Sequence, residues 1–93
     1  MGDIYNDYEI YSKAINCYEK AIEIDPENEN LWISLGRIYI DSEEYDESIE
    51  CFKKASKINP NLTELKIIIN NIRKNNIGRA LEVLEKLEEL LFQ

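Results

Sequence analysis

The stretch YDESIECFKKASKINPNL, residues 45–62, aligns without a gap on YSKAINCYEKAIEIDPEN, residues 11–28, at a spacing of 34 residues. Tyr11 pairs with Tyr45, Ile15 with Ile49, Cys17 with Cys51, Tyr18 with Phe52, Ala21 with Ala55, Ile24 with Ile58 and Pro26 with Pro60. The register continues upstream, where Gly2 stands against Gly36 and Tyr5 against Tyr39. Self-similarity at a fixed period of this size marks a stacked repeat architecture in which one supersecondary unit recurs.

Each unit reads as a helix pair. Trp32, Leu35 and Tyr39, followed by Tyr45, Ile49 and Phe52, recur at helical spacing, and the interruption DSEEYD at 41–46 predicts a short turn between antiparallel helices. Glu43, Glu44, Asp46 and Glu47 fall at the start of the second helix, where the macrodipole favours negative charge. Asp25-Pro26 and Asn59-Pro60 end the pairs, because a residue before proline is pushed out of helical geometry. One residue breaks the local pattern. Gly36 sits inside the helical run LWISLGRIY, residues 31–39, where glycine costs about 1 kcal/mol relative to alanine. A close crossing of the two helices of the unit, which a side chain would wedge apart, is the expected compensation.

With W-x2-L-G-x2-Y at Trp32, Leu35, Gly36 and Tyr39, then Ser48, Phe52, Ala55 and the closing Pro60, the unit resembles the tetratricopeptide repeat. Ser48 stands where that family usually has alanine, although Ala14 and Ala80 keep it in the flanking units. The resemblance implies an all-α fold, a right-handed superhelix of antiparallel helix pairs. A third, degenerate unit follows. Leu65, Ile68, Ile69 and Ile72 track Trp32, Leu35, Gly36 and Tyr39, while Ile77, Ala80, Leu84 and Leu87 track Tyr45, Ser48, Phe52 and Ala55. Bulk at Ile69 and Leu87 should hold its two helices further apart.

The expected organisation is a single domain over 1–93: a first repeat at 1–28 with a truncated inner helix, a second at 29–61 and the degenerate third at 62–93. Solenoid arrays need polar capping units at their ends. Neither end reads as a cap, and Leu90, Leu91 and Phe92 lie at one of them. The expectation is either a piece of a longer array or ends covered by self-association or a partner.

The chain carries 19 acids against 11 bases, a net charge of −8, so its overall field opposes phosphate backbones and anionic lipids. Nucleic-acid and membrane partners are not expected. The charge is uneven: residues 61–80 hold Lys66, Arg73, Lys74 and Arg79 against Glu64 alone. No basic, apolar leader and no membrane-length apolar run occurs, which points to the cytoplasm.

Without histidine there is no mixed Cys/His metal site, and DSEEYDE lacks the glycine and ligand alternation of a calcium loop. Cys17 and Cys51 occupy one place in successive helices, about 9 to 10 Å apart for packed helices, beyond the roughly 7 Å that a disulfide spans. They read as small, half-buried apolar residues. The tyrosines take repeat-core places rather than forming a base-stacking platform, leaving Tyr8 alone unassigned. No glycine-rich phosphate loop or nucleophile-elbow serine is present. No catalytic residue, metal or cofactor is expected.

In the resembled superhelix, ligands lie along the concave surface of the inner helices. Carried over, that surface would comprise Asp3, Asn6 and Asp7, then Asn30, Ile33, Arg37, Ile40 and Asp41, then Lys66, Asn70, Arg73 and Lys74. Ile33 and Ile40, with no core role in the repeat pattern, are the candidates for side-chain pockets. Lys66, Asn70 and Arg73 share a helix face, and with Arg37 they could grip a carboxylate or acidic peptide. The set is similar to part of the carboxylate clamp of some tetratricopeptide co-chaperones. The plainer alternative is a solvated helix face. The expected function is non-catalytic binding of a protein or peptide, as a scaffold or adaptor; the alternative is a structural module that self-associates through its ends.

Overall fold

Asparagine, proline and two left-handed residues divide the chain. In the computed structural model, which describes residues 3–91 with side chains from residue 9 onward, five helices follow one another: α1 (Asp3–Ile24), α2 (Glu29–Asp41), α3 (Tyr45–Ile58), α4 (Glu64–Arg73) and α5 (Ile77–Leu91). Asn28 caps α2, its side-chain oxygen accepting from the Asn30 backbone N–H at 3.0 Å. The Trp32 indole N–H donates to the Pro26 carbonyl at 3.0 Å and pins the α1–α2 loop against α2.

The two later turns are built alike. After α2, Glu43 adopts φ 64° and the Glu44 N–H reaches back to the Tyr39 carbonyl at 2.7 Å; after α4, Asn75 adopts φ 62° and the Asn76 N–H reaches the Asn71 carbonyl at 2.7 Å. This wrapped, left-handed helix ending satisfies carbonyls that α2 and α4 leave free. It makes α2–α3 and α4–α5 antiparallel pairs, and α3 packs on α4 while α1 packs on α2. The described residues form a tetratricopeptide-like helical solenoid.

The first unit differs from its expected form. Instead of a truncated inner helix followed by a separate second one, α1 runs unbroken from Asp3 to Ile24. Nothing between residues 7 and 11 compels a turn: no glycine, proline or asparagine stands there. A left-handed Glu9, at the place that Glu43 takes in the next unit, would cost conformational energy. Continuing the helix keeps every backbone hydrogen bond instead. The side chains of Asp3, Asn6, Asp7, Tyr5 and Tyr8, and all of Met1, Gly2, Phe92 and Gln93, lie outside the described residues.

Gly36 lies where the pattern demanded. A Cβ built on it would stand 2.8 Å from both Cε1 and Cζ of Phe52, a ring that is fully buried and cannot swing away. Ser48 is also fully buried, and its hydroxyl donates to the Tyr45 carbonyl at 2.7 Å, so serine costs no unsatisfied group at this small-residue position. In the third unit Ile69 and Leu87 join the core.

Two apolar clusters hold the fold. The larger joins Phe52 and Ala55 to Leu65, Ile68, Ile72, Ala80, Leu84 and Leu87 across α3, α4 and α5. The smaller ties α1 to the second unit through Ile22, Leu35 and Cys51, with Ile15, Tyr18 and Tyr39 against them.

Candidate functional site

The inner face of α2 is not an open groove. Ile33 and Ile40 are 0% and 3% exposed and belong to the same cluster as Leu84 and Leu87 of α5, so both are core residues and offer a ligand no surface. Arg37, between them, is engaged: its Nη1 donates to both carboxylate oxygens of Glu88 on α5 at 3.1 Å, and its Nε lies 4.0 Å from Asp41. The last helix therefore leans over the inner face of the second unit, and Arg37 does not join Lys66 and Arg73.

Lys66, Asn70 and Arg73 are brought together, in a different setting from the expected one. They line a groove of about 470 Å³ between α3 and α4, whose other bank is Lys53, Ser56 and Lys57 and whose lining includes Ile69. Among the described residues, Lys57, Lys66 and Arg73 make no ion pair, whereas Lys53 reaches Glu50 at 3.7 Å on the surface. Four cations around one trough, three of them without a carboxylate partner, make a local positive field on a chain of net charge −8. Such a site can hold carboxylates by charge-assisted hydrogen bonds, with Asn70 and Ser56 supplying neutral partners.

The α3 lysines were overlooked in the sequence, yet the run KKASK carried the signal. Lys53 and Lys57 are one helical turn apart, on the side of α3 that α4 approaches.

A second groove, of about 700 Å³, lies on the α1 side of α3, with Trp32, Leu35 and Tyr39 of α2 among its lining, and meets the first at Lys53 and Arg73. Burial, with Glu50, Glu19 and Glu47 adding to it, pushes the Cys51 thiol up from 9.0 to about 12. Burial likewise raises the Tyr39 hydroxyl, helped by Cys51, Glu19, Glu44 and Glu47. Cys51 is therefore an inert, protonated core thiol. Its register partner Cys17 is exposed, which corrects the expectation that both are half-buried. That position faces the preceding outer helix: Cys51 has α1 there, and Cys17 has no such helix among the described residues.

Among those same residues, no helix is long and apolar enough to cross a membrane, and no group of three or more histidine, cysteine or carboxylate side chains converges as a metal site would require.

Repeated helix pairs with a shared turn, a glycine crossing and surface grooves between successive helices define a helical-repeat protein. Two family models make this specific: one described as TPR repeat matches residues 2–40, and one described as Tetratricopeptide repeat matches residues 29–62. The chain belongs to the tetratricopeptide repeat family. Repeats of this kind are generally non-catalytic modules for protein–protein interaction. Compared with curated proteins, the chain matches none.

Proposed function

We propose that residues 1–93 form one non-catalytic interaction domain that holds an acidic, extended segment of a partner protein in the trough between α3 and α4. The observation that carries this is the convergence of Lys57, Lys66 and Arg73, none of them ion-paired among the described residues, around one groove of an otherwise acidic molecule. Lys66 and Arg73 take the partner's carboxylates, Asn70 bridges them, and Lys57 closes the opposite bank. The trough is preformed between packed helices, which lowers the ordering cost of association. In the same reading the protein acts as a cytoplasmic scaffold or adaptor, where the exposed thiol of Cys17 stays reduced.

The test is fluorescence anisotropy with a labelled, glutamate-rich peptide bearing a free C-terminal carboxylate. Replacing Lys66 and Arg73 together by alanine should weaken binding by about tenfold or more, and added salt should weaken it further. Equal binding by the double variant would overturn the assignment. Leu90, 69% exposed on α5, is the observation that favours the alternative, self-association through the chain end. Light scattering separates the two: the binding reading expects 11.0 kDa across a wide concentration range, and a mass that grows with concentration and reverts in Leu90→Lys supports assembly.

A further inference from the structure

The groove on the α1 side of α3 has a chemistry opposite to that of the basic trough. Its floor is the half-buried Trp32, Tyr39 and Ile49, resting on the buried Ile22, Leu35 and Cys51, so that three different helices contribute to one apolar surface. Its banks are acidic on both sides: Glu19 and Glu23 stand on α1, Glu47 and Glu50 on α3. Glu19, Glu23 and Glu47 make no ion pair among the described residues. Basic side chains enter the lining only with Lys53 and Arg73, on the flank that faces α4.

Carboxylates on two helices that line one groove, over the buried Cys51 thiol and the half-buried Tyr39 ring, are costly to assemble. Glu19 of α1 and Glu47 of α3 line the same groove, and each pushes the titrations of Cys51 and Tyr39 upward. Like charges so placed repel in the free protein, and a cationic partner relieves that repulsion on binding. An apolar floor between two acidic banks matches one shape of ligand in particular. A helix with a narrow apolar stripe, flanked along both edges by lysine or arginine, sets its stripe on the floor and a row of cations against each bank.

We infer that this groove is a second interaction surface, which docks a basic amphipathic helix of a partner protein. Its floor and its acidic banks are distinct from the trough proposed for acidic segments, which it meets at Lys53 and Arg73, so the module has adjoining surfaces of opposite charge. The inference does not depend on that first proposal.

Trp32 is the chain's single tryptophan and lines this groove, so occupancy has its own optical reporter. The full chain is titrated with a synthetic peptide carrying leucine and lysine at amphipathic helical spacing, and Trp32 emission is followed. A saturable change in emission, weakened by salt, is the expected result. The triple variant Glu19→Lys, Glu47→Lys, Glu50→Lys should weaken binding by about tenfold or more, while Lys57→Ala with Lys66→Ala, in the other trough, leaves it unchanged. Charge reversal in the first turns of α3 opposes the helix dipole, so the milder Glu47→Gln with Glu50→Gln, checked for native circular dichroism, provides a second route and should weaken binding about threefold or more.

Three outcomes overturn the inference: unchanged affinity in the folded glutamine variant, equal binding by a lysine–alanine peptide of the same charge, or low-salt self-association that the triple variant abolishes. The second would reduce the groove to a non-specific field, and the third would make its occupant another copy of this chain.

Discussion

The second and third units share a turn and differ at the crossing. Glu43 and Asn75 are both left-handed, and both turns reach back over the same span of backbone at 2.7 Å. Inside the pairs the chemistry diverges. Gly36 lets the α2 backbone meet the Phe52 ring at a distance no side chain would allow, whereas the third unit fills the same place with Ile69 and replaces Ala55 by Leu87. The turn is common to both antiparallel pairs, and the residue sizes where their helices meet are not. One can be kept while the other is lost.

The strongest way to break this contrast is to put bulk at Gly36. Gly36→Leu should destabilise the protein by about 3 kcal/mol or more, because Phe52 is enclosed and the clash cannot relax outward. At the equivalent place in the third unit the sign of the demand reverses: Ile69→Ala, which shrinks the residue, should cost about 2 kcal/mol by leaving a cavity. Urea denaturation of the two variants checks both. A Gly36→Leu protein that unfolds at the wild-type midpoint would show that the crossing is not what glycine is for.

How legible this was in the sequence depends on the distance over which each feature is decided. The period of 34 residues placed α2 and α3, the proline-terminated ends and the glycine crossing, because those follow from spacing within one unit. The third pair was legible through Leu65, Ile68, Ala80 and Leu84 despite its lost signature residues. The unbroken α1 was not, since a repeat register cannot say whether the left-handed turn of one unit recurs where the local residues do not favour it.

The site was read less well, and for a physical reason. Whether Ile33 and Ile40 face a ligand or the core depends on where α5 leans, a contact made through Arg37 and Glu88 between residues 51 positions apart. Local periodicity holds no information on that. Lys66, Asn70 and Arg73 were legible as a shared helix face, but their partners Lys53 and Lys57 belong to α3, and only the packing of α3 on α4 joins the two banks.

The first and second units can be compared through their cysteines. Cys17 should react with a thiol reagent at neutral pH in the native protein, and Cys51 only on unfolding, because burial holds its pKa at about 12. The sign of the linked stability follows. The folded state keeps the Cys51 proton between about 9 and 12 while the unfolded chain releases it, so the unfolded chain binds fewer protons and stability falls as pH rises through that window. Tyr39, raised in the same direction, adds to the fall. Cys51→Ala should have a shallower alkaline slope than the wild type in thermal melts recorded from pH 8 to 11. Equal slopes in the two proteins would mean that Cys51 keeps no proton that the unfolded chain releases.

The smallest expected effect probes the feature that the second and third units share. A left-handed backbone is costly for glutamate, less so for asparagine and unstrained for glycine. Glu43→Gly should therefore stabilise the protein by about 0.5 kcal/mol, relief of strain exceeding the added freedom of the unfolded chain. Asn75→Gly relieves less strain for the same entropic cost and should change stability by about 0.2 kcal/mol or less. The Ser42 hydroxyl complicates the first variant little, since it bonds Glu44 and the Tyr39 carbonyl rather than Glu43. Paired urea melts resolve the difference when the two variants are run side by side. A stabilisation at Glu43 larger than that at Asn75 would establish the turn as a conserved geometry built from unequal residues. The reverse order would mean that the Glu43 side chain contributes to the turn in solution by more than its backbone strain removes.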